Sequence, residues 1–258
     1  MNLLHVLVFA VVEGITEFLP VSSTGHLILT AHALNLKQTE FLKSFEIGIQ
    51  LGAILAVVVL YWKTLVKGRE IWKRIFVAFL PTACIGLILY KLIKNFLLGN
   101  NAVVLWSLFL GGILLIIFEL FYREKADAAD TIDRISYKQS FCIGLFQSIA
   151  IIPGVSRAAA TIIGGLSLGL KRKAIVEFSF LLAIPTLLSA TALDLIRNAN
   201  AFDSRKFFLL SAGFCMSFII AAITIKFLLT FIKRHNFIIF GIYRVCIAIL
   251  FWLAPLGK

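Results

Sequence analysis

The chain has 258 residues, 60% of them hydrophobic and only 15% charged, with a mean hydropathy of +0.99. A soluble domain carries about 25% charged residues, so a water-soluble enzyme is excluded and the bilayer is the natural solvent. The net charge of +12 comes from Lys and Arg in short loops between apolar runs, the positive-inside pattern of a membrane protein, which argues against nucleic acid as a partner.

Apolar stretches fall at about 3–19, 24–36, 44–62, 75–93, 102–122, 139–152, 155–170, 174–196, 207–230 and 237–255. A spanning helix needs about 20 apolar residues. Six stretches meet that: 44–62, 75–93, 102–122, 174–196, 207–230 and 237–255. The N-terminal stretch lacks a basic leader and runs into Glu13 and Glu17, so it reads as a retained membrane segment rather than a cleaved signal. The four shorter stretches form two pairs, each broken at a proline, Pro20 or Pro153, followed by small polar residues. Proline removes a backbone donor and turns the preceding residue away from helix. Each pair therefore reads as a re-entrant helical hairpin, whose irregular backbone is tolerated only inside protein or against a wet cavity.

The expected fold is thus an all-α integral membrane protein, with six transmembrane helices plus two re-entrant hairpins in one transmembrane domain. With the N-terminus outside, the inside loops 63–74, 123–138, 171–173 and 231–236 hold 14 Lys and Arg, against 8 in outside segments 35–43, 91–101, 197–206 and 256–258. That bias places both termini outside. Residues 1–122 and 139–255 follow the same order of hairpin and three spans, with Pro20 and Ser23 offset by 133 from Pro153 and Ser156. Three spans per half invert the second repeat relative to the first, a transporter-like architecture.

The first break reads Glu13-Gly14-Ile15-Thr16-Glu17-Phe18-Leu19-Pro20-Val21-Ser22-Ser23-Thr24-Gly25-His26. Glu13 and Glu17, four apart, share a helix face. Ser22, Ser23 and Thr24 open the next helix, where free N–H groups suit a phosphate. His26 follows within a turn. A Ser or Thr there is usually a cap, and a lone His is usually a core residue. Two carboxylates in one apolar segment are harder to assign to packing. The second break, from Gln147 to Thr161, offers Gly154, Ser156 and Arg157 after Pro153. Arg157 is a bidentate cation for phosphate oxygens; its bland reading is a snorkelling surface arginine. If the hairpins meet, Arg157 faces the carboxylates with a nucleophile between, the makings of a phosphoryl-transfer site. Glu46, Gln50, Glu177 and Asp194 are further intramembrane polar residues, and Glu119, Lys226 and Arg244, near segment ends, read as snorkelling. The cysteines Cys84, Cys142, Cys215 and Cys246 lie in apolar runs without CxxC spacing and read as packing residues.

At these residues the chain resembles the undecaprenyl-diphosphate phosphatase family, also called the bacitracin-resistance family. The resemblance is carried by EGITEFLPVSSTGHLIL at 13–29, FEIGIQLGAILAVVVLYW at 45–62, PGVSRAAATIIGG at 153–165 and EFSFLLAIP at 177–185. Ala158-Ala159 stands where the family commonly has Ser-Gly, which removes a hydroxyl at 158. The resemblance implies an inner-membrane hydrolase that converts undecaprenyl diphosphate to the monophosphate. It implies recycling of the carrier for peptidoglycan, bacitracin resistance, and a site open to the outer side.

On this reading Ser23 is the expected nucleophile and His26 the alternative, with Glu17 or His26 as base. Glu13 and Glu17 are candidate oxygen ligands for a divalent cation, Mg²⁺ or Ca²⁺. Arg157, Ser156 and the helix-start residues Ser22, Thr24, Gly25, Gly154 and Thr161 would bind the phosphates. A transporter or flippase of a lipid-linked phosphate is the competing reading. A purely structural membrane protein would leave the polar clusters without a role. The oligomeric state is open, a homodimer included.

Overall fold

The computed structural model of the chain describes residues 1–37, 39–92, 100–124, 128–198 and 204–253, whose regular structure is helical apart from one isolated bridge between Ala129 and Leu170. Eleven α-helices run in order among them: α1 Leu3–Thr16, α2 Ser23–Ala33, α3 Glu40–Leu60, α4 Trp62–Lys67, α5 Arg69–Leu92, α6 Asn101–Phe121, α7 Tyr137–Ser148, α8 Arg157–Ser167, α9 Arg172–Asn198, α10 Ser204–Phe231 and α11 Ile238–Leu253. Four of them, α3, α5, α6 and α10, are long and apolar enough to cross a membrane. They occupy four of the six expected spans. The other two positions hold α9, of 27 residues, and α11, whose 16 residues reach about 24 Å. Large apolar side chains such as Phe121, 84% exposed, face outward, as lipid contact requires.

Residues 63–74, expected to form an inside loop, are mostly helical instead. They hold most of α4 and the first turns of α5 around Gly68. The charges there support helix: Lys73 Nζ lies 2.5 Å from Glu70 on the next turn, a favourable spacing. Asp194 falls outside the residues whose side chains are described, as do most of the outer segments 91–101 and 197–206.

Both short pairs break where the prolines predict. The chain leaves α1 at Glu17, turns through Pro20 and starts α2 at Ser23, with Ser22 as N-cap at φ 77°. A serine in that region is rare and costs about 1–3 kcal/mol, so surrounding contacts must hold it. In the second break a single 3₁₀ turn, Ile149–Ile151, extends α7 before Gly154, at φ 91°. Only glycine fits there, because a Cβ would lie 2.6 Å from the Val104 carbonyl of α6. Ser156 then caps α8, its Oγ accepting from Ala159 N at 3.1 Å.

Ser22 caps α2 as Ser156 caps α8, so Ser23 and Arg157 are the first residues of their helices. The first long helices after each break, α3 and α9, pack on each other. So do the last ones, α6 and α11. The helices that lead into the two breaks each pack on a long helix, α1 on α10 and α7 on α5. Gly144 lets α7 approach so closely that a Cβ would overlap the Ala78 carbonyl of α5. Phe18, in the first break, meets Phe180 of α9 edge-on at 5.3 Å. These contacts place the two breaks side by side in the interior.

Candidate active site

A cavity of about 190 Å³ opens between the two breaks. One wall carries Glu17, Ser22, Ser23 and Thr24, and another Ser156 and Arg157. The two candidate halves therefore share one space. Ser23 Oγ donates to Glu17 Oε2. Glu17 Oε1 accepts from Arg157 Nη2 at 3.2 Å, with the two side chains only 4% and 10% exposed. Hydroxyl, carboxylate and guanidinium thus form one series. Arg157 Nη1 donates to the Ser179 carbonyl of α9 at 2.8 Å, while its buried Nε has no partner. The fork is anchored on two sides and keeps a donor in reserve.

The remaining expected site residues lie behind this wall rather than on it. Thr161, fully buried, bonds Ser179 Oγ at 2.7 Å and the Arg157 carbonyl at 3.0 Å. It supports the strand of contacts that holds Arg157. Gly154 packs against α6 and Gly25 against Ser22 and Leu108. Glu13 is fully buried one helical turn below Glu17.

His26 is held at both ring nitrogens. Nδ1 lies 2.8 Å from the Ser22 carbonyl and Nε2 2.9 Å from the Tyr243 hydroxyl. A carbonyl only accepts, so Nδ1 carries the proton, and in the neutral ring Nε2 accepts from Tyr243. The Tyr243 ring stacks on the imidazole at 5.5 Å. In this state neither nitrogen is left for Ser23, and the ring fixes the strained Ser22 backbone.

Among the described residues neither Glu13 oxygen is met by a separate hydrogen-bond donor, and its carboxyl stands directly beside that of Glu17. Hard oxygen donors with open valence beside a second carboxylate suit a hard divalent cation, which commonly completes its shell with water and substrate phosphate. Glu13 and Glu17 fit that chemistry. Among the described residues no group of three or more His, Cys, Asp and Glu is placed to hold a metal by itself.

Two residues read as snorkelling prove to be buried. Glu119 accepts from Arg172 Nη2 at 2.6 Å and from Phe237 N at 3.3 Å, tying the start of α9 to that of α11. Arg244, 1% exposed, has only carbonyl partners among the described residues. Its donors reach Ser107 O at 3.0 Å, Leu108 O at 3.4 Å, Pro20 O at 3.4 Å and Gly154 O at 3.2 Å. One guanidinium therefore fastens both breaks to α6. Gly111 makes room, since a Cβ there would overlap Nη2. The signal was a cation in an apolar run, which is costly unless satisfied. Arg244→Ala is expected to strand buried carbonyls at about 1–3 kcal/mol each. The purified variant should melt well below wild type, and Arg244→Lys should recover only part of the difference.

Several long apolar helices around a buried polar cavity define a multi-pass membrane protein with a hydroxyl–carboxylate–guanidinium site inside it. A family described as Bacitracin resistance protein BacA matches residues 6–250, and the chain belongs to that family. It is 55% identical to the undecaprenyl-diphosphatase of Aquifex aeolicus over 244 residues, 95% of each chain. It is 48% identical to that of a Sulfurihydrogenibium species, covering 98% of this chain and 99% of the relative. The corresponding Campylobacter jejuni protein is 46% identical over 98% of this chain and 94% of its own length.

Proposed function

We propose that this protein hydrolyses undecaprenyl diphosphate to undecaprenyl phosphate and inorganic phosphate. Membership of the BacA family and near-full-length relatives named undecaprenyl-diphosphatase support that activity. The observation that carries the chemistry is the bonded series Ser23–Glu17–Arg157 on the cavity wall. The product re-enters peptidoglycan synthesis as lipid carrier. Bacitracin resistance follows, because the diphosphate that bacitracin sequesters is consumed.

In the proposed mechanism Ser23 Oγ attacks the terminal phosphorus and passes its proton to Glu17 Oε2, the acceptor it already contacts. The bond from phosphorus to the bridging oxygen breaks, and undecaprenyl phosphate leaves with the proton returned by Glu17. Water then attacks the phosphoserine. Its proton passes through Glu17 to Ser23 Oγ as phosphate departs. Arg157 and the N–H groups opening α2 and α8 balance charge on the phosphoryl oxygens. A divalent cation, Mg²⁺ or Ca²⁺, when held by Glu13 and Glu17, supplies further neutralisation of that charge.

We read the architecture as six spans and two re-entrant hairpins, α1–α2 and α7–α8, in an inverted repeat of about 1–122 and 139–255. The exchanged packing of α1 on α10 and α7 on α5 supports it. The loop charges favour both termini outside, and the resemblance to the family supports a site open to the outer side of the inner membrane. Purified protein in detergent is expected to release inorganic phosphate from undecaprenyl diphosphate. Release of none would favour the lipid-phosphate flippase that an inverted repeat also suits.

A further inference from the structure

Gln147 lines the same cavity as Glu17, Ser23 and Arg157, and its amide is locked by two threonines. Each follows a proline inside a long helix, Pro81-Thr82 on α5 and Pro185-Thr186 on α9. Gln147 Nε2 reaches Thr82 Oγ1 at 2.8 Å and Thr186 Oγ1 at 3.4 Å. A hydroxyl has one hydrogen, and both of these are spent on carbonyls: Thr82 on Gly144 at 3.1 Å and Thr186 on Leu182 at 2.8 Å. The threonines can therefore only accept from Gln147. A flipped amide would set its oxygen against two oxygens without a hydrogen between them. The orientation is fixed by the hydrogen count, and Oε1 is left over.

Gln147 is 1% exposed, and its Oε1 has no hydrogen-bond partner among the described residues. Buried acceptors in native proteins are nearly all matched. Ionised phosphate oxygens cannot match this one, because they also accept. The Ser23 hydrogen is already given to Glu17. Water is the donor that a hydrolytic cavity contains in every turnover.

We propose that Gln147 Oε1 holds the water that attacks phosphorus, accepting one of its hydrogens while the other goes to Glu17. The proposal rests on the hydrolytic reading of the cavity and not on whether water attacks phosphoserine or the substrate itself. In either case the water oxygen bonds to phosphorus as the departing oxygen leaves, and the transferred proton is the one facing Glu17. Gln147 keeps the second hydrogen throughout, as a positioning group on the nucleophile.

The arrangement discriminates between water and alcohols. Water has hydrogens for both acceptors, whereas methanol has one. The test is turnover of undecaprenyl diphosphate in detergent containing methanol, with methyl phosphate and inorganic phosphate measured by ³¹P NMR. Wild type is expected to form little methyl phosphate. Gln147→Met keeps the size of the side chain and removes the acceptor. Its methyl phosphate to phosphate ratio should rise about fivefold, the worth of one net hydrogen bond. Thr186→Val keeps the cavity shape and frees one side of the amide, so a smaller rise is expected. A smaller fraction of folded protein lowers the total rate without changing this ratio. If Gln147→Met does not fold, the Thr186→Val ratio decides. An unchanged ratio in the folded variants overturns the proposal. A wild-type protein that forms neither product overturns the hydrolytic reading as well. Retained turnover by Ser23→Ala removes only the serine step.

Discussion

Ser23→Ala is expected to lower phosphate release by about a thousandfold or more, the scale on which loss of a catalytic nucleophile acts. Substrate binding should change little, because Arg157 and the N–H groups of both hairpin starts remain. The expectation follows from the division of labour between two neighbouring serines. Ser22 is spent as the cap of α2, while Ser23 faces the cavity with its hydroxyl on Glu17. His26 does not replace it, since its nitrogens serve Ser22 and Tyr243. Initial rates of phosphate release by the detergent-purified variant are the measurement. Near wild-type turnover would rule out Ser23 as nucleophile, and recovery of phosphohistidine would move the role to His26.

Arg157→Lys is expected to cost about a hundredfold in kcat/KM, with kcat falling along with binding. A lysine keeps the charge but not the fork. The present guanidinium meets Glu17 and the Ser179 carbonyl through different nitrogens while Nε remains unengaged. An ammonium cannot hold both anchors and also present a planar pair of donors to phosphate. Lysine is the informative substitution, because alanine would leave Glu17 as a buried charge without its partner and cost about 3–5 kcal/mol in folding. A variant with unchanged kcat and only a raised KM would reduce Arg157 to a docking group. Unchanged kinetics would remove it from the site.

Much of this site was legible in the chain before any fold was known. Pro20 and Pro153 end helices for backbone reasons that operate locally. The polar residues beside them stand out because a hydrophobic run tolerates few of them. Pairing Glu13 with Glu17 needed only the helical period, and bringing Arg157 to them needed the two breaks to meet. What escaped depended on tertiary register. Pro20 and Pro153 align Ser23 with Ser156, yet the caps align Ser22 with Ser156, because the two breaks turn with different numbers of residues after the proline. Arg244 and Lys226 look alike as cations in apolar runs; only packing distinguishes the first, buried against α6, from the second, which is exposed. The role of Gln147 emerges from where two hydroxyl hydrogens go, which sequence spacing does not encode.

The placement of Arg244 bears on how the protein comes into being. A chain is made from its N-terminus, so Glu17, Ser23 and Arg157 are all synthesised and able to enter the membrane before α11 exists. Until α11 arrives, the Pro20 and Gly154 carbonyls lack the donor that later joins them to α6. The residues proposed for hydrolysis are thus present early, while their frame is completed by the last described helix. An unfinished chain would carry every residue of the proposed site yet lack the fastening between its two breaks, so activity is expected to appear with the completed fold rather than with the last of those residues.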